Sequence, residues 1–107
     1  MPSIEATPII SQYSDDPEMA ELVEEFVNSL HERVSSIENC VSTGDLGELR
    51  RIAHQLKGSC GGYGFDVIGQ AAAALETSVK AAQSVGQVNQ EVVELIHLCH
   101  RAKVKAD

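Results

Sequence analysis

The sequence predicts an all-α protein, an antiparallel up-down-up-down four-helix bundle with an extended or short-helical N-terminal lead-in. Apolar residues recur at steps of three and four along four segments, which is the period of an amphipathic helix. Strand-like alternation of any length is missing, and prolines stand only at positions 2, 8 and 17. We therefore expect a lead-in over residues 1–15 and a bundle domain over residues 16–105.

The first helix is predicted to begin at Asp16-Pro17, because aspartate caps free N–H groups and proline suits the first helical position. Gly44 is predicted to end it in a left-handed conformation. The apolar stripe expected to face the core comprises Met19, Leu22, Val23, Phe26, Val27, Leu30, Val34, Ile37 and Val41. The lead-in residues expected to pack against the domain are Ile9, Ile10 and Tyr13.

The second helix is predicted to start near Asp45 and to run out within the glycine-rich stretch 58–64, where the Gly61-Gly62 pair limits its regularity. Its inward residues are expected to be Leu46, Leu49, Ile52, Ala53, Leu56 and Cys60. The third helix is predicted to begin around Asp66 and to be closed by Gly86. Its apolar stripe is expected to comprise Phe65, Ile68, Ala72, Leu75, Val79 and Ala82.

The fourth helix is predicted to use Asn89 as its N-cap, with Val88 packed on Val93 as a hydrophobic staple. Its inward residues are expected to be Val92, Leu95, Ile96, Cys99 and Ala102. Cationic residues that suit the negative end of the helix dipole follow near its end, namely Arg101, Lys103 and Lys105.

The charge balance excludes several classes of partner. The 107-residue chain has 16 acidic and 8 basic residues, for a formal net charge of −8. Nucleic acids and anionic membrane surfaces both require a basic footprint, so we expect neither as a partner. Three widely spaced cysteines, Cys40, Cys60 and Cys99, form no CxxC pair, which favours reduced, buried thiols and a cytoplasmic location.

One of the four histidines has an unusual setting. At about 100° per residue, His54 lies roughly 130° from the core direction of the second helix, on its solvent side. Arg50, Lys57, Gly58 and Gly61 fall within about 60° of it. Because a glycine inside a helix costs about 0.5–1 kcal/mol relative to alanine, the glycine one turn beyond His54 indicates that a bulky group must approach the imidazole. A lone surface histidine usually has no function, so what singles out His54 is its combination with the nearby cations and glycines.

The segment Ala53-His54-Gln55-Leu56-Lys57-Gly58-Ser59, followed by Gly64 and by a helix that ends in Leu75-Glu76, resembles the histidine-containing phosphotransfer (HPt) family. The resemblance makes His54 the phosphoacceptor, matches Lys57 and Gly58 to the family's lysine and glycine, and gives Gly64 a structural role at the turn between the central helices. Cys60 departs from the serine or alanine that is more frequent in the family.

The chemistry of an imidazole phosphoacceptor requires one ring nitrogen to hold the proton while the other attacks. The resemblance makes Nε2 the attacking atom, and Glu76 is the candidate acceptor for the Nδ1 proton. The alternative is that Glu76 only pairs with Lys80 on its own helix. Lys57 is expected to offset the charge of the phosphoryl oxygens.

A partner is expected to dock around His54, and the residues assigned to this contact are Arg50, Arg51, Gln55, Gly58, Gly61 and Lys80. For Arg51 and Lys80, ordinary solvated charge is an equally good interpretation. The implied partners are response-regulator receiver domains, a hybrid histidine kinase or both.

Other chemistries fit the sequence less well. His97 and His100 share a helical face, but two ligands from one helix leave a zinc site incomplete, so we expect no metal. Cys60 lies on the apolar face, which disfavours a nucleophilic thiol. A phosphate-cradling loop after a strand is missing, so we expect no ATP binding, no autokinase activity and no cofactor.

Three functions stay open. The first is a monomeric phosphocarrier that moves a phosphoryl group on His54 between receiver-domain aspartates of a multistep phosphorelay. The second is a module that binds receiver domains without carrying phosphate. The third is the phosphoacceptor domain of a chemotaxis-type histidine kinase. The His54, Lys57 and Gly58 set favours carriage of phosphate over binding alone.

Overall fold

The computed structural model describes residues 7–104 and is mostly helical. The four helices are α1 (Pro17–Thr43), α2 (Leu46–Gly62), α3 (Asp66–Ala81) and α4 (Asn89–Arg101). Lys105 and residues 1–6 of the expected lead-in lie outside the described residues. Four helices confirm the all-α prediction. Across residues 7–104, the helices are too short or too polar to cross a membrane.

Both predicted ends of α1 are confirmed. The Asp16 carboxylate accepts a hydrogen bond from the Glu18 N–H at 3.0 Å, and Gly44 has a left-handed φ of 73°. The prediction that Leu22 faces the core is wrong, because its exposed fraction is 48%. Its neighbour Val23 is fully buried near the middle of the buried stripe of α1, and Leu22 lies about 100° away around the helix, on the side that faces solvent.

The start of α2 is also as predicted. The Asp45 carboxylate accepts a hydrogen bond from the Glu48 N–H at 3.0 Å. α2 remains α-helical through the Gly61-Gly62 pair and ends at Gly62, within the glycine-rich stretch. Its buried stripe comprises Leu49, Ile52, Ala53, Leu56 and Cys60, as the periodicity predicts.

The connection between α3 and α4 corrects two predictions. α3 does not reach Gly86, because Ala82 adopts an extended conformation with ψ of 151°, and Gly86 lies in a 3₁₀ helix, Val85–Val88. This 3₁₀ helix leads directly into α4, so Val88 occupies the N-cap position and Asn89 is already helical. Val88 is buried while Val93 is 56% exposed, which rules out the predicted staple.

A pair of short parallel strands joins the two ends of the described chain. β1 (Ile9–Ile10) pairs with β2 (Ala102–Lys103), with Ile9 opposite Ala102. The sequence analysis expected no strand and extended the inward face of α4 to Ala102. Each strand has two residues, too few for a visible alternation, so the pairing is a product of tertiary structure.

Helix packing builds one core. α2 packs on α3 most extensively, α4 packs on α3, and α1 contacts both α2 and α4, which closes a ring of four neighbours. The lead-in packs against this core through Ile9 and Tyr13. The Phe26 ring of α1 stacks on Tyr63 with ring centroids 4.4 Å apart, which holds α1 over the end of α2.

The turn between α2 and α3 requires a glycine. Gly64 has a left-handed φ of 84°, and a Cβ there would lie 2.6 Å from both the Gln12 nitrogen and the Ser11 Oγ. The lead-in fits against this bare backbone, since the Gln12 N–H donates to the Gly64 carbonyl at 3.0 Å and the Ser11 hydroxyl donates to the Tyr63 carbonyl at 2.7 Å. The turn therefore fixes both the α2–α3 pair and the lead-in.

We predict that Gly64→Ala lowers the free energy of unfolding by about 2 kcal/mol or more, because a left-handed alanine alone costs about 1–2 kcal/mol. The matched control is Gly62→Ala, where the added methyl group meets nothing within 4 Å. Urea unfolding followed by circular dichroism measures both. Equal stability of the two variants would contradict this role of Gly64.

Candidate functional site

α2 presents His54 to solvent. The buried stripe of this helix, which includes Ala53 and Leu56, fixes its rotation about its own axis. His54 lies on the other side, and 66% of its side-chain surface is exposed. Lys57, three residues further on, lies on the same face with a half-exposed side chain.

α3 brings Glu76 to the same place from the neighbouring helix. Leu75 and Val79 are buried beside it and fix the helix rotation. α3 lies close to α2 at Gly69, where an added Cβ would be in ordinary van der Waals contact with the Cys60 Cβ at 3.4 Å and the Lys57 carbonyl oxygen at 3.6 Å. The sequence analysis did not single out Gly69. A glycine next to Ile68 inside an apolar helical stripe was the available signal.

The Glu76 carboxylate bridges His54 and Lys57. One oxygen, Oε2, lies 2.9 Å from His54 Nδ1, and the other, Oε1, lies 2.8 Å from Lys57 Nζ. Only 7% of the Glu76 side-chain surface is exposed. Both oxygens are therefore occupied by residues of α2, in place of the alternative pairing with Lys80 on α3.

The two partners keep Glu76 ionised. The Lys57 ammonium, through its hydrogen bond, is the main cause that lowers the pKa of Glu76 to about 2, and the hydrogen bond from His54 lowers it further. Burial acts in the opposite direction, because desolvation disfavours the charged carboxylate. Near neutral pH this carboxylate is charged and can only accept hydrogen bonds.

A hydrogen-bond acceptor at Nδ1 determines which nitrogen of the imidazole can act as a nucleophile. In neutral imidazole one nitrogen carries the proton and the other has the free lone pair. Because Glu76 accepts at Nδ1, the proton resides there, and the lone pair at Nε2 is available for attack. The site therefore has the tautomer that a nucleophilic Nε2 requires.

The surroundings of His54 are open. Gly58 and Gly61 are exposed, and an added Cβ at Gly58 would meet nothing within 4 Å. Arg50 and Gln55 are exposed on the same helix, and Lys80 is exposed on α3. Arg51 forms a two-point ion pair with Glu48, including an Nε–Oε1 hydrogen bond of 2.8 Å, so its charge is already balanced within α2.

The sequence also offered cysteine thiols and a histidine pair as alternative reactive or metal-binding groups. Burial is the main cause that raises the pKa of the Cys60 and Cys99 thiols to about 12, which keeps both protonated and unreactive. Residues 7–104 contain no group of three or more His, Cys, Asp or Glu side chains that could hold a metal ion. His100 lies beside His31 of α1, with ring centroids 6.4 Å apart.

Comparison with known families agrees with this geometry. Residues 21–104 match the family model of the Hpt domain, which is most of the chain. The chain belongs to the Hpt family. Hpt domains are phosphocarriers that take part in histidine phosphotransfer in phosphorelay signalling, where they interact with receiver domains and kinases. No curated protein and no solved structure matches the chain.

We predict that Glu76→Gln flattens the dependence of stability on acid pH in this Hpt domain. The pKa of Glu76 is about 2 in the folded protein against 4.5 ordinarily, so the unfolded chain binds the proton first as the pH falls. The resulting stabilisation is complete above about pH 5 and is lost as the pH falls toward the folded-state value.

Urea unfolding between pH 7 and pH 3 checks this, with Glu25→Gln, an exposed carboxylate of α1, as the matched control. The wild type and the control should lose stability more steeply than Glu76→Gln. Parallel curves for all three proteins would contradict the ionised state of Glu76.

Proposed function

We propose that the chain carries a phosphoryl group on His54 between receiver-domain aspartates of a multistep phosphorelay. The observation that supports this best is the 2.9 Å contact between His54 Nδ1 and the buried Glu76 carboxylate. It leaves Nε2 as the nucleophile, on a ring that is largely exposed to a partner.

The bonds formed and broken in the proposed phosphoryl transfer balance without a cofactor. The Nε2 lone pair attacks the phosphorus atom of an aspartyl phosphate, the phosphorus–oxygen bond to the aspartate breaks, and the aspartate leaves as a carboxylate. The Nδ1 proton stays in its hydrogen bond to Glu76, which stabilises the positive charge that develops on the ring. The reverse step returns the phosphoryl group to a second aspartate.

The phosphoryl group is proposed to come from a partner and not from ATP. On this proposal the chain is a phosphotransfer intermediate without autokinase activity. A module that only binds receiver domains would have no use for a buried carboxylate held by two α2 side chains, so this geometry favours carriage over binding alone. The proposed location is the cytoplasm, supported by three buried cysteines that are all free thiols.

The relative direction of the four helices is also part of this proposal. We infer that the helices run up-down-up-down as an antiparallel bundle over residues 16–105, following the lead-in of residues 1–15. The ring of helix contacts and the short connections at Gly44-Asp45 and at residues 63–65 support this topology. The chain is proposed to act as a monomer that binds one partner at a time.

The proposed docking surface surrounds His54. Gly58 and Gly61 leave the backbone of α2 bare, and Gln55 flanks them, so that a partner can approach the ring closely. Arg50 offers an exposed positive charge to an acidic receiver surface, whereas Arg51 is already paired with Glu48. Lys80 extends the surface onto α3.

We predict that a phosphorylated receiver domain transfers its label to the wild-type chain, and that His54→Gln abolishes the label. The modification should be acid-labile and base-stable, as expected of phosphohistidine. The control is His100→Gln, an exposed histidine of α4, which should accept label at the wild-type rate. Labelling of His54→Gln would refute the assignment, and label that arrives only from an ATP-bound kinase would favour the chemotaxis-type alternative.

We also predict that Arg50→Ala slows association with the receiver several-fold at low ionic strength, because complementary charge raises the association rate. Arg51→Ala should have a smaller effect, since Glu48 already balances that charge. Stopped-flow association at two salt concentrations measures this, with Glu25→Gln on α1 as the control. Equal effects of Arg50→Ala and Glu25→Gln would contradict a basic docking contact.

A further inference from the structure

A groove of about 740 Å³ runs between the first half of α1 and the segment from the end of α4 to Val104. Its α1 wall extends from Pro17 to His31, which is about 21 Å at 1.5 Å per residue. The rings of His31 and His100, with centroids 6.4 Å apart, lie at one end of it. Its described lining residues all belong to α1, α4 or the segment after α4, so the groove is separate from the α2 and α3 side chains around His54.

The floor of this α1–α4 groove is apolar. Val27 and Ala102 are buried parts of the core, and Ala20 and Val104 are half-buried beside them. The α4 wall continues with Val93, an apolar side chain that is 56% exposed and lies seven residues before the α4 histidine of the groove, on the same helical face. A strip of apolar surface is therefore available for a partner to cover.

The α1 rim of the groove is acidic. Glu21 and Glu24 line it, and both are exposed and stand one turn apart. α1 has six glutamates and a single arginine, Arg33. Because Arg33 follows His31 by two residues, it lies about 160° around the helix from the groove side of α1. The carboxylates of the rim are therefore not balanced by a cation of their own helix.

The opposite rim has one lysine, Lys103, whose side chain is exposed. Arg101 is not part of the groove, since its Nε–H donates to the Thr7 carbonyl of the lead-in at 2.8 Å. An occupant therefore meets two carboxylates along α1 and one ammonium across from them. Basic residues along one edge of the occupant would match this distribution of charge.

A helix suits the groove better than a small molecule does. The rims are exposed along the whole α1 wall, whereas small-molecule sites enclose most of the ligand surface. A length of about 21 Å corresponds to about four turns of α-helix, and a helix laid between two others buries its apolar stripe against the floor. The acidic rim excludes nucleic acid and anionic membranes as occupants.

We propose that the α1–α4 groove is a docking site for a basic amphipathic helix of a partner protein. The apolar stripe of that helix packs on the floor at Val27 and Ala102, and lysines or arginines along one of its edges pair with Glu21 and Glu24. Because α2 and α3 stay uncovered, the chain can hold this second partner while the docking surface around His54 takes one receiver domain at a time. The groove is thus a binding site beyond the proposed phosphotransfer.

Binding of a synthetic peptide tests the proposal. The probe is a fluorescein-labelled amphipathic peptide of about 18 residues, long enough to form helix, with leucines on one face and lysines along the edges of that face. The matched peptide has glutamate in place of each lysine. Fluorescence anisotropy should show that the wild-type chain binds the lysine peptide, more weakly at high salt, and does not bind the glutamate peptide. Failure to bind the lysine peptide, or equal binding of the two, would overturn the proposal.

Charge-reversal variants locate the contact on the chain. The combination of Glu21→Lys and Glu24→Lys should weaken binding of the lysine peptide about 10-fold or more, because like charges then face each other. The control combines Glu25→Lys and Glu32→Lys, which changes the net charge equally at two exposed α1 glutamates outside the groove. The control should lose much less affinity. Equal losses would mean that the peptide is attracted to the acidic chain as a whole, and the groove would be wrong.

A variant that fills the floor tests the apolar part of the contact. Ala20→Phe places a ring in the groove and should also weaken binding about 10-fold, whereas Ala74→Phe, at an exposed alanine of α3, should not. Circular dichroism and labelling of His54 should stay at the wild-type level in both variants. Unchanged peptide binding by a folded Ala20→Phe variant would contradict docking in the groove.

Two further outcomes have distinct meanings. Sedimentation equilibrium of a wild-type dimer that the Glu21→Lys and Glu24→Lys combination converts to a monomer would assign the groove to a second copy of the chain and overturn the proposal. The lysine peptide should bind equally well to chains with and without a phosphoryl group on His54, and a peptide that blocks labelling by a receiver would contradict two separate sites. A chain that binds the peptide and accepts no label would refute only the proposed phosphotransfer.

Discussion

The buried carboxylate of Glu76 is the interaction on which the site depends. It lies on α3, yet both of its oxygens are bound by side chains of α2, so it couples the arrangement of the two helices to the protonation of one imidazole ring. A displacement of either helix by an ångström would break a contact of 2.8 or 2.9 Å and leave a charged group buried without a partner. The chemistry of His54 is therefore tied to the packing of the core beneath it.

The turn between α2 and α3 makes this coupling possible. Gly64 turns the chain between these helices with a left-handed φ of 84°, and the helices then lie close together at Gly69, where an added Cβ would be in van der Waals contact with Cys60. Ser11 and Gln12 of the lead-in bind this turn, so the N-terminal segment supports the α2–α3 pair that carries the site. Both helices meet the remainder of the core through buried residues, which leaves the His54 face open.

The periodicity of the sequence predicted much of the fold because core burial follows the helical repeat, as at Leu49 and Leu75. The periodicity did not predict burial correctly where contacts with the other helices decide which residue is buried. Leu22 and Val23 are equally apolar, and only packing shows which one is buried. For the site, the angular positions of residues on each helix predicted that Glu76 lies near His54. The ion pair between Glu76 and Lys57 was not predicted, because it depends on the distance between two helices, and the projection of a single helix does not contain that distance. Gly69, where the two helices lie close together, was missed for the same reason.

The most direct test of the account is the position of the phosphoryl group on the phosphorylated 107-residue chain. Phosphorus and nitrogen NMR on labelled protein identifies which ring nitrogen bears the phosphorus and whether the other retains a proton. The arrangement of Glu76 predicts a phosphorus–nitrogen bond at Nε2 of His54, with a proton on Nδ1. Phosphorus on Nδ1 of His54, or on another histidine of the chain, would contradict it.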